Sequence, residues 1–359
     1  MPPLPVEPIT IVPMRDISAL LQPLPGRRQP LAGFDDDYVD FVDYIVRCTH
    51  RIWEQKKVDL IYSHYSTDCV IHTLAGETRG AEAVVQGTVR TLAAFPDRAP
   101  VADDVIWSGD DTQGFYSSHR ITSHMTNLGD SEFGSATGRR ATVMTIADCA
   151  AKANLIYEEW LVRDNLSLVL QLGLDPFAIA QAAAQRLRAA PGEYADWYRE
   201  QIERVAGASP LAQITTALQR CGDPVALLCT TFAAIWNERN FAAVRDIYSP
   251  LAELHASSGR ELFGHGEIIG YYAYWLAGLP DARVTLDHLC VVDRDGGIDV
   301  AIRWALAGRH TGSGLLSEPR GEQVLILGVT HWRVVAGRIV EEWSVFDELA
   351  VLRQMLGPL

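Results

Sequence analysis

The chain has 359 residues, of which 48% are hydrophobic and 21% are charged, and its formal net charge is −14. This is the composition of an ordinary soluble globular protein, and the length allows either one large domain or two smaller ones. The acidic excess, with no run rich in Lys or Arg, argues against nucleic acid and anionic membrane surfaces as partners.

The N-terminal segment and the cysteines predict a cytoplasmic protein. The segment lacks the basic and apolar regions of a signal peptide, and no apolar run approaches the roughly 18 residues of a membrane span. The 6 cysteines include no C-x-x-C pair, which is typical of reduced thiols. Eight prolines between residues 1 and 33 predict an extended arm over residues 1–37.

Helical periodicity comes first after the arm, and strand periodicity follows. Apolar residues at helical spacing predict an amphipathic helix over 38–53, and a β-like stretch then ends in His72 before a further helix over 80–95. Four stretches rich in β-branched and aromatic residues are predicted as strands, over 98–108, 114–126, 141–148 and 152–163. This order predicts a bent antiparallel sheet packed against segregated helices, an α+β arrangement.

The second half of the chain repeats the first at a nearly constant separation of 183 positions. The recurring pairs include Ile52-Trp53 with Ile235-Trp236, His72 with His255, Asp104 with Asp287, Arg120 with Arg303, Glu158-Glu159-Trp160 with Glu341-Glu342-Trp343, and Asp164 with Asp347. Such agreement over rare residue types indicates two copies of one unit. The predicted domains are 38–175 and 222–359, joined by a helical connector over 176–221.

A known family shares the pattern that ends the second copy. The string GRIVEEWSVFD at 337–347, together with RHTG at 309–312 and QMLG at 354–357, resembles the C-terminal half of SnoaL-like polyketide (ester) cyclases. These belong to the nuclear transport factor 2-like superfamily. The first copy resembles the same pattern more loosely, through 137–139, 156–164 and 171–173.

The resemblance implies a specific architecture. It implies two fused cone-shaped α+β barrel domains, each a bent antiparallel sheet with helices that enclose a pocket, related by a pseudo-two-fold axis. Single units of this superfamily commonly dimerise through the open face of the sheet. We therefore expect the tandem to form an intramolecular pseudo-dimer, and a homodimer of the whole chain stays open.

Asp164 and Asp347 are the first candidates for acid/base chemistry. Alternation along a strand places Glu158, Trp160 and Asp164 on one face, where burial would raise the pKa of the aspartate. The resemblance implies that Asp164 and Asp347 act as general acid/base groups. The alternative is a strand-end aspartate that caps a turn or pairs with an arginine.

Histidine and arginine recur at matching positions of the two copies. His72 and His255 precede a glycine turn and are predicted as catalytic partners of the aspartates, or as core histidines bonded to backbone carbonyls. Arg120 and Arg303 lie in the middle of strands, where they are expected to pair with a pocket carboxylate or to anchor an anionic substrate oxygen.

The remaining candidates are aromatic residues and unshared histidines. Apolar walls bind ligands by burial, so part of the aromatic set is expected to line a pocket for an apolar ring-shaped molecule and the rest to form core. The predicted substrate-binding residues are Trp53, Trp107, Arg120, His124, Trp160, Trp236, Arg303, His310 and Trp343.

These residues predict a function without a cofactor. The sequence lacks H-E-x-x-H, G-x-S-x-G and a phosphate loop that opens a helix, so neither a metal nor a nucleophilic triad is expected. We expect an acid/base enzyme of cyclase, lyase or isomerase type whose partner is a small hydrophobic carbonyl or aromatic compound. The alternative is a non-catalytic binding or assembly module whose aromatics plug the pockets and whose aspartates pair with Arg120 and Arg303.

Overall fold

The computed structural model describes residues 17, 21 and 26–357. Most of the predicted arm lies outside these residues, although Leu31 and Phe34 pack into the core of the first domain. The elements of that domain are α1 (Phe41–Thr49), α2 (Ile61–His64), β1 (Tyr65–Thr73), β2 (Gly76–Arg79), α3 (Ala81–Ala94), β3 (Ala99–Asp110), β4 (Gly114–Thr126), β5 (Arg140–Lys152), β6 (Leu155–Arg163) and α4 (Asn165–Gln171).

The same order of elements returns after three connecting helices. The connecting helices are α5 (Pro176–Ala189), α6 (Gly192–Gly207) and α7 (Thr215–Cys221). The second domain contains α8 (Asp223–Glu238), α9 (Val244–Ile247), β7 (Tyr248–Ala256), β8 (Arg260–Phe263), α10 (Gly264–Gly278), β9 (Arg283–Arg294), β10 (Gly297–Arg309), β11 (Gln323–Val335), β12 (Arg338–Phe346) and α11 (Glu348–Leu356). The domain limits at 38, 176 and 222 stay predictions.

The two sheets have the same strand order, which confirms the predicted α+β class. The orders are β2-β1-β6-β5-β4-β3 and β8-β7-β12-β11-β10-β9. One detail of the prediction was wrong, because the β1–β6 and β7–β12 pairs are parallel within otherwise antiparallel sheets. A parallel pair needs a long crossover, here the chain between the first and last strands of each unit, and strand patterns do not reveal such pairings.

Backbone register aligns the two domains residue by residue. Cys149 lies opposite Glu159, and Trp332 lies opposite Glu342 in the same way. The register also corrects one predicted pair, since the bulges of β3 and β9 make Asp103, rather than Asp104, the counterpart of Asp287. Both strands contain this bulge, so the offset changes instead in the next turn, where residues 111–113 between β3 and β4 correspond to residues 295–296 between β9 and β10.

The outer faces of the two sheets pack against each other. Val162 and Val345 meet in one apolar cluster that contains residues of both domains. Arg120 lies 3.8 Å from the centre of the Trp343 ring, and the Ser118 hydroxyl lies 2.7 Å from Nε2 of His331. The inner faces of the two sheets are therefore the ones that remain for the cones.

The cores of the two domains differ in continuity. Domain 2 has one large cluster of buried apolar side chains, whereas those of domain 1 divide into separate clusters around α1, α4 and the turn after α1. No helix in the described part of the chain is long and apolar enough to cross a membrane. The cytoplasmic location stays a prediction.

Candidate functional site

The cone of domain 1 contains three adjoining cavities between α3, α1 and the inner face of the sheet. Their volumes are about 590, 400 and 60 Å³. Arg163, at the end of β6, lines all three, and Trp53, Tyr65, Glu159 and Leu161 line both the largest and the smallest. The inward side chains of β6 therefore form a wall that adjoining cavities of the cone share.

Glu159 is the main ionisable group in this cone. It is 7% exposed, and its Oε2 accepts a hydrogen bond of 2.9 Å from the hydroxyl of Tyr65. Burial raises the pKa of Glu159 to about 7, while the Tyr65 hydrogen bond and the charge of Arg163 act in the opposite direction. Near neutral pH this carboxyl exchanges its proton readily.

His119 and Thr145 add polar atoms that face the smallest cavity. Both residues are 2% exposed, and His119 Nε2 and Thr145 Oγ1 have no hydrogen-bond partner among the described residues. Burial, together with the charge of Arg120, lowers the pKa of His119 to about 3, so its ring is neutral. Buried polar atoms are normally paired, so these two are available to a ligand.

Arg98 brings a buried guanidinium to the same region. Its guanidinium carbon lies 4.6 Å from the centre of the Trp53 ring, and its Nε and Nη2 lie 3.4 and 3.3 Å from the hydroxyl of Ser123. Burial, with the charge of Arg163, lowers the pKa of Arg98 to about 9, so the group is still a cation at neutral pH. The site therefore combines one titrating carboxyl with two cations.

The cone of domain 2 is filled with aromatic rings. At positions occupied by Thr91, Ile121, Cys149 and Arg163 in domain 1, domain 2 has Trp275, Trp304, Trp332 and Phe346. A Cβ added to Gly328, the counterpart of Thr145, would lie 2.2 Å from the Trp304 ring. The indole of Trp304 thus takes the space that stays open in domain 1.

Glu342, the counterpart of Glu159, is held inside this aromatic core. Its Oε2 accepts hydrogen bonds from the Tyr248 hydroxyl and, at 3.1 Å, from Trp332 Nε1. Burial raises the pKa of Glu342 to about 7 against both hydrogen bonds. The same carboxyl is therefore present in both cones, but in domain 2 protein side chains occupy the space around it.

Asp164 and Asp347 lie at the N-termini of α4 and α11. Asp164 accepts from the backbone N–H groups of Ser167 and Ser258, and Asp347 accepts from Ala350 N and Asn165 Nδ2. Each aspartate therefore caps its own helix and also bonds to the other domain. Within the described chain, neither one forms the predicted ion pair with Arg120 or Arg303. Their catalytic role stays a prediction, and the contacts are those of the capping alternative.

The sequence assigned the wrong face of β6 and β12 to the cones. Trp160 and Trp343 lie on the outer faces, where Arg303 stands 3.3 Å from the centre of the Trp160 ring. Alternation along a strand predicts which residues share a face, but it does not say which face is concave. With His72, Trp160 and Arg303 line a separate cavity of about 290 Å³ between the two domains and α6.

The two paired histidines lie on β1 and β7, the strands next to the edge strands β2 and β8. His72 is 3.0 Å from Glu77 and 2.9 Å from Glu158, and its ring stacks on Trp160. His255 has matching contacts with Glu261 and, at 3.1 Å, with Glu341. The ligand atoms of Glu253, His255 and Glu341 lie within 4.8 Å of one another, a spacing that suits a metal ion.

The remaining predicted residues are dispersed. Trp53 lines the open cone, whereas Trp236 is part of the filled one. Trp107 packs against the core around α1, and His124 is exposed and lies 3.1 Å from the Thr142 hydroxyl. His310 is buried, and neither ring nitrogen has a partner among the described residues.

Six polar residues of the candidate site in the open cone were not predicted as site residues. They are Tyr65, Arg98, His119, Thr145, Glu159 and Arg163. Glu159 stood in the repeated Glu-Glu-Trp string, one position from the face that the sequence favoured. A comparison of side-chain size at equivalent positions of the two copies would have indicated this site, because copy 1 has polar or smaller residues at positions where copy 2 has aromatic ones.

Comparison with known proteins identifies one family in both halves of the chain. The family model of SnoaL-like polyketide cyclases matches residues 43–172 and again residues 226–355. No curated protein matches the chain.

Similar solved structures each correspond to one of the two units. A protein from Jannaschia sp. CCS1, named for the SnoaL-like polyketide cyclases, is 22% identical and covers 38% of this chain and 93% of its own, with a TM-score of 0.34. TsrD from Streptomyces laurentii is 24% identical, with coverage of 38% and 96% and a TM-score of 0.33. IdmH from Streptomyces antibioticus is 22% identical, with coverage of 37% and 98% and a TM-score of 0.32.

Proposed function

This chain belongs to the SnoaL-like polyketide cyclase family, and we propose that its first domain is a cofactor-independent acid/base enzyme acting on a small hydrophobic carbonyl compound. The main support is the position of Glu159, a buried carboxyl with a pKa of about 7 beside an open cavity. A base whose pKa lies near the working pH combines ionisation with driving force for proton transfer.

The reaction begins with the Glu159 carboxylate, which removes a proton from the carbon next to the substrate carbonyl. The electron pair of the broken C–H bond moves onto the carbonyl oxygen and gives an enolate. Thr145 Oγ1 and His119, in its Nε2–H tautomer, supply donors to that oxygen, since neither atom has a protein partner. A preorganised donor in a dry site stabilises developing charge more strongly than water does.

The enolate then has two outcomes, which correspond to the isomerase and cyclase types. Return of the proton from Glu159 to another carbon isomerises the substrate. Attack of the enolate carbon on a second carbonyl of the same molecule forms a C–C bond, and the new alkoxide takes the proton from Glu159. Both sequences restore the Glu159 carboxylate and need no cofactor.

Domain 2 supports a second role, that of a non-catalytic scaffold. Its rings pack closely, with centroids 5.0 Å apart for Trp275 and Phe346 and 5.8 Å apart for Trp304 and Phe346. Glu342 has the same raised pKa as Glu159, but both of its hydrogen-bond donors come from the protein. In this proposal domain 2 stabilises domain 1 through the packed sheets and does no chemistry.

The test compares Glu159→Gln with its matched control Glu342→Gln. The assay follows deuterium exchange at the carbon next to the carbonyl of 1-tetralone, a small hydrophobic ketone. We expect Glu159→Gln to slow exchange by about 10²–10⁴-fold, the range for loss of a general base. Glu342→Gln should stay within about twofold of wild type. Equal rates in wild type and Glu159→Gln would exclude this mechanism.

A further inference from the structure

The cone of domain 1 contains two cations that lack a carboxylate partner. Arg98 is 6% exposed, and within the part of the chain that the structure describes its guanidinium donates hydrogen bonds to the Ser123 hydroxyl alone. The side chain of Arg163 forms no ion pair or hydrogen bond with any residue that the structure describes. A buried cation is costly unless an anion or several hydrogen bonds compensate for it. Arg98 is buried and Arg163 beside it is half-buried, so the pair leaves a position for an anionic ligand group.

Charges around the two arginines do not neutralise them. Glu159 is only partly ionised at neutral pH, and His119 is neutral. The acidic residues at the openings of the cavities are bonded to other groups or exposed. Glu77 pairs with His72 and Arg79, and Asp347 accepts from Ala350 N and Asn165 Nδ2. Asp130 accepts from Ala136 N, and Glu132 is exposed. A chain with a net charge of −14 thus has two arginines without an ion-pair partner among the described residues on the wall of this cone.

The fold itself does not require these cations. Ala282 takes the place of Arg98 in domain 2, since each donates its backbone N–H to the C-cap residue of the preceding helix. Phe346 takes the place of Arg163. The second unit folds with apolar residues at both positions, so the arginines of domain 1 serve something other than the architecture.

The surroundings of the pair describe the rest of the ligand. Arg98 and Arg163 both line the cavity of about 400 Å³, whose apolar walls include Phe95, Met125 and Leu168. The Trp53 ring lies against the Arg98 guanidinium and restricts its orientation. Planar guanidinium groups bind carboxylates through paired N–H donors.

We propose that the ligand of this cone is an apolar carboxylic acid whose carboxylate binds between Arg98 and Arg163. The proposal that this acid is the substrate rests on the proposed function. The proposal that it binds rests on the two arginines alone. Arg98 and Arg163 also line the smallest cavity, which Glu159 lines as well, so a ligand that extends from the arginine pair into that cavity can place a C–H next to a carbonyl against Glu159. Thr145 and His119 donate to the carbonyl oxygen between them.

The experiment measures binding by calorimetry at pH 8 with three naphthalene probes of similar shape. The probes are 1-naphthoate, the neutral 1-naphthamide and 1-naphthyl phosphate. We expect naphthoate to bind at least tenfold more tightly than naphthamide, and Arg98→Met or Arg163→Met to remove that preference. Arg98→Lys should keep part of it. Arg283→Met, an exposed arginine beside the counterpart of Arg98, is the control and should change nothing.

A further variant separates binding from catalysis. Glu159→Gln removes a nearby negative charge, so it should tighten naphthoate binding several-fold at pH 8 while it abolishes exchange. Equal affinities for naphthoate and naphthamide would overturn the carboxylate site even if Glu159-dependent exchange is present. Tighter binding of the phosphate than of naphthoate would overturn the ligand class. A preference for naphthoate without Glu159-dependent exchange would support the carboxylate site and contradict the proposed reaction.

Discussion

The two domains have the same backbone fold and differ in the side chains inside the cone. Strand order, register and the inward Glu-Tyr-Trp set (Glu159, Tyr65 and Trp53; Glu342, Tyr248 and Trp236) are the same in both. Domain 1 has Thr91, Ile121 and Cys149 where domain 2 has tryptophans, and it encloses open space there. One unit therefore has an open cavity, whereas the other has a continuous core.

The proposed roles divide binding and stability between the two copies of the fold. Aromatic side chains bury large apolar areas, and closely packed interiors gain both transfer energy and dispersion contacts. A cavity lacks those contacts, and in the proposed scaffold role the filled core of domain 2 compensates for this across the shared interface. This division predicts different responses when equivalent positions are changed in the two domains.

The largest effect is expected from truncation at the position opposite the glutamate. Trp332→Ala should lower the free energy of unfolding by about 3–5 kcal/mol, because it opens a void in a packed core and removes a hydrogen bond to Glu342. The matched change Cys149→Ala borders an existing cavity and should cost about 1 kcal/mol. Chemical denaturation measures both values, and similar losses would contradict the division between the domains.

The second prediction is that the pH dependence of the proposed reaction reflects Glu159 and not Glu342. Protonation of Glu159 removes the base, so kcat/KM for exchange should fall tenfold per pH unit below about 7 and level off above it. Glu342 titrates in the same range, but it lies in the filled cone. Glu342→Gln should therefore leave the midpoint of the profile where it is. A midpoint in the ordinary glutamate range, or one that moves in Glu342→Gln, would assign the chemistry elsewhere.

The smallest effect concerns the feature that the domains share most closely, the aspartate caps. Asp164→Ala and Asp347→Ala should each lower the free energy of unfolding by about 0.5–2 kcal/mol, with similar values, because each removes the acceptor for a backbone N–H in the first turn of its helix. Asparagine also caps helices, so the double Asp→Asn variant should keep its exchange rate within about twofold. A large loss of exchange in that variant would return the catalytic role to the aspartates.

The sequence predicted the fold class and the duplication well because both depend on patterns along the chain. Helical and strand periodicities, and rare residues at a constant offset, are visible without coordinates. The candidate site was predicted less well. Glu158 and Glu159 are neighbours and point to opposite faces, so an assignment shifted by one residue moved the proposed site from the cone to the interface.

The sequence by itself determined two α+β units of one family, each with a Glu-Glu-Trp strand and an aspartate at its end. Only the tertiary structure decided which face of that strand is concave. Alternation along a strand divides its side chains between two faces, but it does not say which face the helices cover. It also decided which cone is open, since Trp304 and Trp332, on adjacent strands, both pack against Phe232 and fill a space that single positions in the chain do not describe. Arg98 and Arg163, distant in sequence, become a pair only inside the cone that stays open.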